Sequence, residues 1–123
     1  MVGTIQDYAR FCQMLVNGGE FNGNRILAPK TIEMMTRNQI GELEVWDRKN
    51  KFGLGFEIMT EAGVQELPGS VGAFKWGGAY ATDYFIDPEE ELIFLFYTNI
   101  HPFHYYDELF HRCRIMTYAA IVE

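Results

Sequence analysis

The sequence predicts an α+β domain: an antiparallel sheet of about three strands, with N-terminal helices and a C-terminal helix packed on it. Three observations carry this. Apolar residues recur at helical spacing near both ends, at Tyr8, Phe11, Cys12 and Leu15 and again at Leu109, Phe110, Cys113, Met116 and Thr117. Between them the period switches to two over residues 52–58. An unbroken apolar run then fills residues 92–97. The 123 residues, 48% of them hydrophobic, make one domain's worth of chain, residues 1–123.

The elements follow in order. Thr4 with Asp7 three residues later is a capping-box-like helix start, and Gly18-Gly19 ends the first helix. Asn22-Gly23 marks a turn. Ala28-Pro29 opens a short helix to about Arg37 that buries Ile32 and Met35, since proline suits the first helical position. Residues 41–51 are charged and aperiodic, a loop. Phe52, Leu54, Phe56 and Ile58 then alternate with Gly53, Gly55, Glu57 and Met59 as one half-buried strand, its glycines marking close packing on the other face. Residues 67–72 form a Gly- and Pro-containing loop. Residues 74–86 read as a second strand with Gly77-Gly78 inside it, and 87–90 (Asp-Pro-Glu-Glu) as a hairpin turn. The run 92–97, apolar on both faces, is expected to lie centrally in the sheet. A helix over residues 106–122 closes the chain, its stripe formed by Leu109, Phe110, Cys113, Met116, Thr117, Ala120 and Ile121.

Charge and composition narrow the function. Ten basic against seventeen acidic residues leave −7, the wrong sign for gripping phosphate backbones, so no nucleic-acid partner is expected. No apolar run reaches the roughly eighteen residues of a membrane span, and no leader opens the chain, which reads as a soluble domain. Cys12 and Cys113 lack metal-ligand spacing and fall on helix faces, as small buried hydrophobes do. His101, His104 and His111 cluster with Asp107 and Glu108, but His101 and His104 flank Pro102 in a loop. One Glu-x-x-His does not make a di-metal site, so a solvated helix start is the favoured reading and no metal is expected. The Glu89–Glu91 run sits at a hairpin tip, where charges are simply solvated. Gly53-x-Gly55 lacks the third glycine and the following helix of a dinucleotide loop.

Phe74-Lys75-Trp76-Gly77-Gly78-Ala79-Tyr80-Ala81-Thr82 stands apart, because two glycines within a strand mark the close approach of another backbone or a ligand. This segment, continuing through Asp83-Tyr84-Phe85-Ile86-Asp87-Pro88, resembles the C-terminal part of the β-lactamase-related serine hydrolases, which include class C β-lactamases, DD-peptidases and β-lactamase-like esterases. Residues 3–11 with Asn17-Gly18-Gly19, the Ile26-Leu27-Ala28-Pro29-Lys30-Thr31 helix start (Ala28 standing where a capping serine is usual) and Phe52-Gly53-Leu54-Gly55-Phe56 are similar to successive pieces of the same family, in the same order.

The resemblance implies a partial β-lactamase/transpeptidase-like fold and acyl transfer to serine on an ester, β-lactam or peptide-like amide, without metal or cofactor. It implies that Lys75, Trp76, Gly77, Gly78 and Ala79 form the substrate-side strand. Either Lys75 or Trp76 stands at the motif's first position, and the amide of Gly78 or Ala79 serves as oxyanion donor. The family's other two motifs are missing. Ser70, the chain's only serine, is followed three residues later by Ala73, so there is no Ser-x-x-Lys. Tyr97-Thr98-Asn99 has the letters of a Tyr-x-Asn but follows the glycine strand instead of preceding it. The expectation is a fragment or truncated form, inactive alone for want of a nucleophile. A non-catalytic ligand- or protein-binding module is the alternative. As the family's N-terminal strand and helix are absent, a homo-oligomer, most simply a two-fold dimer, or the missing N-terminal portion is expected to cover residues 92–97 and the C-terminal stripe.

Overall fold

A computed structural model describes residues 2–46 and 49–122; residues 47 and 48 of the expected 41–51 loop lie outside the described residues. Thr4, in an extended conformation, caps helix α1 (Ile5–Val16) by accepting the Asp7 amide at 3.2 Å. The helix ends into Gly18 and Gly19, both at positive φ. A Cβ on Gly19 would lie 2.1 Å from the Leu27 carbonyl oxygen, so only glycine fits there. Asn22 and Gly23, at φ +50° and +76°, turn a two-residue hairpin between β1 (Glu20–Phe21) and β2 (Asn24–Arg25). Helix α2 (Pro29–Met35) begins at Pro29, and Ala28 supplies no side-chain cap.

The main sheet has five antiparallel strands where about three were expected. They are β3 (Lys51–Phe52), β4 (Glu57–Ile58), β5 (Phe74–Gly78), β6 (Thr82–Asp87) and β7 (Leu92–Phe96), in that spatial order. Two expected strands are hairpins. The first, over 52–58, folds back on itself because Gly55 adopts φ +96° and pairs Phe52 with Glu57, leaving Leu54 half exposed. The close packing inferred from its glycines is real at Gly53, where a Cβ would lie 1.9 Å from the Met35 carbonyl oxygen. The second, over 74–86, is β5, a turn and β6, in register Gly78 with Thr82 and Phe74 with Ile86. Its turn carries no Gly, Asn or Asp. Ala81 instead sits at φ +54°, and the Thr98 hydroxyl bonds the Tyr80 and Ala81 carbonyls at 2.8 and 2.9 Å. The run 92–97 is not central. Among the described residues β7 pairs with β6 alone and forms one edge of the sheet, its residues half-buried.

The sheet's two faces differ. Against α1 lie Phe56, Ile58, Phe74, Tyr84 and Ile86, packed on Cys12, Met14 and Leu15. Burial pushes the Cys12 thiol up to about 12, so it is an inert core group, and Cys113 is likewise a free thiol. The opposite face carries helix α3 (Tyr106–Ala119), which stops three residues short of the expected end. Its buried stripe is also rotated from the expected one. Phe110 and Arg114 are buried, while Met116 is 72% and Ile121 41% exposed. The true seam runs i, i+4, i+8, i+12 through Tyr106, Phe110 and Arg114 to Tyr118, with Phe110 edge-on to Phe96 and Tyr118 stacked on Phe85. The arginine hides this seam from an apolar count. No helix among the described residues is long and apolar enough to cross a membrane.

Asp87 locks the β6–β7 hairpin to α3 and to the loop before β5. Fully buried, it accepts the Ser70 amide at 2.9 Å, the Glu89 and Glu90 amides and the Tyr118 hydroxyl at 2.5 Å. Burial alone would raise its pKa, but the bonds from Tyr118, Ser70 and Glu90 outweigh it and hold the carboxyl below the usual aspartate value. With the folded pKa below the unfolded one, the stabilisation is complete above the unfolded value and is lost as pH falls through the folded one. We predict that the denaturant midpoint falls as pH drops below about 4. Asp87→Asn should cost about 2 kcal/mol at neutral pH and flatten that acid limb.

Candidate functional site

Strand β5 sorts its side chains by alternation. Phe74 and Trp76 face α1, where Phe74 packs on Phe56 at 5.1 Å and Trp76 meets the edge of Phe52 at 4.9 Å. Lys75 and Gly77 face α3. The Lys75 ammonium pairs with the Asp83 carboxylate at 3.0 Å, with side chains 20% and 5% exposed. Burial dominates at Asp83 and holds its carboxyl above the usual range despite the pull of Lys75.

Beyond this pair the α3 face is unexpectedly polar. Glu57, the cross-strand neighbour of Lys75, is 2% exposed and accepts from Asn50 Nδ2 at 2.7 Å through Oε1. Its Oε2 has no hydrogen-bond partner among the described residues. Arg114, 7% exposed, donates from Nε to the Pro68 carbonyl at 2.6 Å and lies over the Phe85 ring at 5.0 Å. Glu57, Lys75, Asp83 and Arg114 line a cavity of about 160 Å³ between the sheet and α3. The sequence reading missed this layer. Its signal was there in the charges at the in-facing positions of strands, Glu57 and Asp83, and in Arg114 one turn after Phe110.

A larger recess, about 410 Å³, opens at the Gly78 end of β5. β4 reaches only as far as Lys75, so the β4-side edge of Trp76, Gly77 and Gly78 has no strand beside it among the described residues. The recess is lined by this edge with Ala79 and Ala81, by Trp46 stacked on Trp76, and by Pro102, Phe103 and Tyr106. All five residues of the expected substrate-side strand line it. The two glycines also answer to the chain's own packing. A Cβ on Gly77 would lie 2.1 Å from the Tyr106 hydroxyl, and one on Gly78 would lie 2.4 Å from the Thr82 hydroxyl.

The other sequence candidates scatter. Ser70 sits before the opposite end of β5, where its amide serves Asp87. Thr98 of Tyr97-Thr98-Asn99 ties down the β5–β6 turn. His101 packs on Tyr80 beside the larger recess, His111 lines the smaller cavity and His104 is exposed. Among the described residues no three His, Cys, Asp or Glu side chains gather as a metal site would need.

Comparison with known proteins fits this frame. The Beta-lactamase family model matches residues 1–112, and the chain belongs to that family. Two similar relatives, the uncharacterized protein MT1414 and protein Rv1367c of two Mycobacterium tuberculosis strains, are each 30% identical over 105 residues. The match covers 76% of this chain but 26% of each of those proteins, so the chain spans about a quarter of their length. Simvastatin synthase (LovD) from Aspergillus terreus shares the fold in two structures, unliganded and as the LovD6 mutant, with TM-scores of 0.71 and 0.69 and 18% identity. Each superposition covers 91% of this chain and 32% of that one.

The Gly77 contact yields a prediction. Gly77→Ala should destabilise the fold by about 1–3 kcal/mol by driving a methyl into the Tyr106 hydroxyl. Adding Tyr106→Phe should recover part of that loss in a thermal melt, and only part, because the Thr82 carbonyl lies 2.9 Å from the same methyl.

Proposed function

We propose that this chain is the substrate-side portion, a fragment or truncated form, of a β-lactamase-like serine hydrolase. The parent chemistry is acyl transfer to serine on an ester, β-lactam or peptide-like amide, and this chain alone is inactive because it lacks the nucleophile. The observation that carries the reading is the edge of Trp76-Gly77-Gly78, which has no strand beside it among the described residues and borders a recess of about 410 Å³. An extended substrate can lie along such an edge, with its carbonyl oxygen at the Gly78 or Ala79 amide. Lys75 also lines the recess but is committed to Asp83, which favours Trp76 as the first residue of a Trp-Gly-Gly wall.

Family membership and the coverage of a quarter to a third of the matched chains support this reading. So does Ser70, which lies away from the recess with its amide bound to Asp87. A non-catalytic binding module would use the same recess but needs no upstream serine; an in-frame Ser-x-x-Lys in the upstream coding sequence decides between the two. Incubated with a chromogenic β-lactam and an activated aryl ester, the isolated chain should show neither turnover nor fluorophosphonate labelling of Ser70. Labelling together with turnover would overturn the proposal.

The same reading concerns assembly. β7 offers one open sheet edge of five apolar residues, and Ile115, Met116 and Val122 leave an apolar patch around the end of α3. For the isolated chain we expect a two-fold homodimer that covers this edge, in place of the N-terminal portion that would cover it in a longer protein. Light scattering at micromolar concentration should give twice the chain mass; a monodisperse monomer would refute it.

A further inference from the structure

The recess at the end of β5 has a wall that no sequence motif announced. Trp46 is 66% exposed, and its backbone sits at φ +46°, a conformation costly for a bulky side chain. Such a residue keeps that geometry only where its surroundings over-determine it, and here they do. On its N-terminal side Val45 is buried and its amide donates to the Asn50 carbonyl at 3.1 Å. Asn50, also buried, is fixed in turn by Glu57 at 2.7 Å and by the Thr60 amide at 3.3 Å. Lys51 Nζ ties the Leu43 carbonyl at 3.0 Å. The result is an indole laid over Trp76 with ring centroids 5.1 Å apart and planes 21° from parallel. These are the chain's only two tryptophans.

We infer that Trp46 is a specificity-determining residue of the recess, and that with Trp76 it selects neutral esters whose acyl part is flat and apolar. The inference rests on the reading of β5 as the substrate-side strand. Pro102, Phe103 and Tyr106 extend this aromatic and apolar wall, and Glu57, Lys75 and His101 are the titratable groups of the lining. The volume, about 410 Å³, accommodates an aryl-acyl group with its ester. Charge excludes the free acid. Lys75, which reaches the recess, is already neutralised by Asp83, the buried Glu57 carboxylate borders the same space, and the chain carries −7 overall. A planar acyl group can stack on the indoles while its carbonyl reaches the edge of β5.

The test uses the whole 123-residue chain, whose two indole N–H resonances in a ¹H–¹⁵N spectrum are direct reporters. Methyl cinnamate and sodium cinnamate serve as probes. Methyl cinnamate should shift both indole signals saturably, and sodium cinnamate should bind more weakly. Trp46→Ala, confirmed folded by the dispersion of its amide spectrum, should lose about tenfold in affinity, and Trp46→Phe should recover most of it. Equal affinity in wild type and Trp46→Ala would overturn the inference, as would tighter binding of the anion. Ala79→Pro, which deletes an amide donor without touching the indoles, separates the two readings. If binding is lost in Ala79→Pro but intact in Trp46→Ala, the strand reading stands and the role of Trp46 falls. If binding is lost in Trp46→Ala but intact in Ala79→Pro, and methyl cinnamate leaves the Gly78 amide signal of the wild type unmoved, the strand reading falls. No binding by the wild-type chain overturns both.

Discussion

The two-residue alternation along β5 is the constraint from which the rest of the molecule follows. Because side chains leave a strand on opposite faces in turn, Phe74 and Trp76 must go to one side and Lys75 and Gly77 to the other. The first pair meets the apolar face of α1, and the core grows there from Cys12, Leu15, Phe56, Tyr84 and Ile86. The second pair sets the chemistry opposite α3: a lysine needs a counter-ion, and Asp83 supplies it from the adjoining strand at 3.0 Å. Gly77 leaves the space that the Tyr106 hydroxyl fills, so α3 seats close against this end of the sheet. A one-residue slip in β5 would bury the ammonium against α1 and turn Trp76 toward the polar layer. Register is therefore strongly specified.

Legibility tracked how local each cause was. The Thr4 cap, the Gly18-Gly19 stop, the Asn22-Gly23 turn and Pro29 at a helix start act through backbone chemistry within a few residues, and each was readable. The turn between β5 and β6 was not. It has no turn residue and is held by Thr98, seventeen positions beyond Ala81. Nor was the position of β7, since an apolar run signals cover on both faces but says nothing about which edge is paired. Tyr97 reaches α1 at Tyr8 and Phe96 reaches α3 at Phe110, so both faces are partly covered while the edge stays open. The seam of α3 was misread for a related reason. An apolar count passes over Arg114, whose guanidinium is carried by a carbonyl, a thioether and an aromatic face.

The candidate site divides in the same way. The glycine strand could be picked out because two adjacent glycines in a strand need a reason. What the sequence could not say is that the reason is partly internal, with Tyr106 and Thr82 occupying the space beside them. Trp46 gave no signal at all. It lies in a charged, aperiodic stretch, and only its left-handed backbone and its stack on Trp76 distinguish it from a solvated loop residue.

The accessible edge of the sheet has its origin in a different strand. β4 is two residues long because Gly55 turns the chain just before it and Gly53 is held against the Met35 carbonyl. Having paired Ile58 with Phe74 and Glu57 with Lys75, it has nothing left to offer Trp76. A longer β4 would have closed the edge with backbone hydrogen bonds and removed the recess. Asn50 connects the parts that shape this opening: its side chain bonds Glu57 of β4, and its carbonyl holds the amide of Val45, next to Trp46. The buried Glu57 carboxylate, costly in itself, thus fixes the loop from which one indole is laid across the gap that its own short strand leaves open.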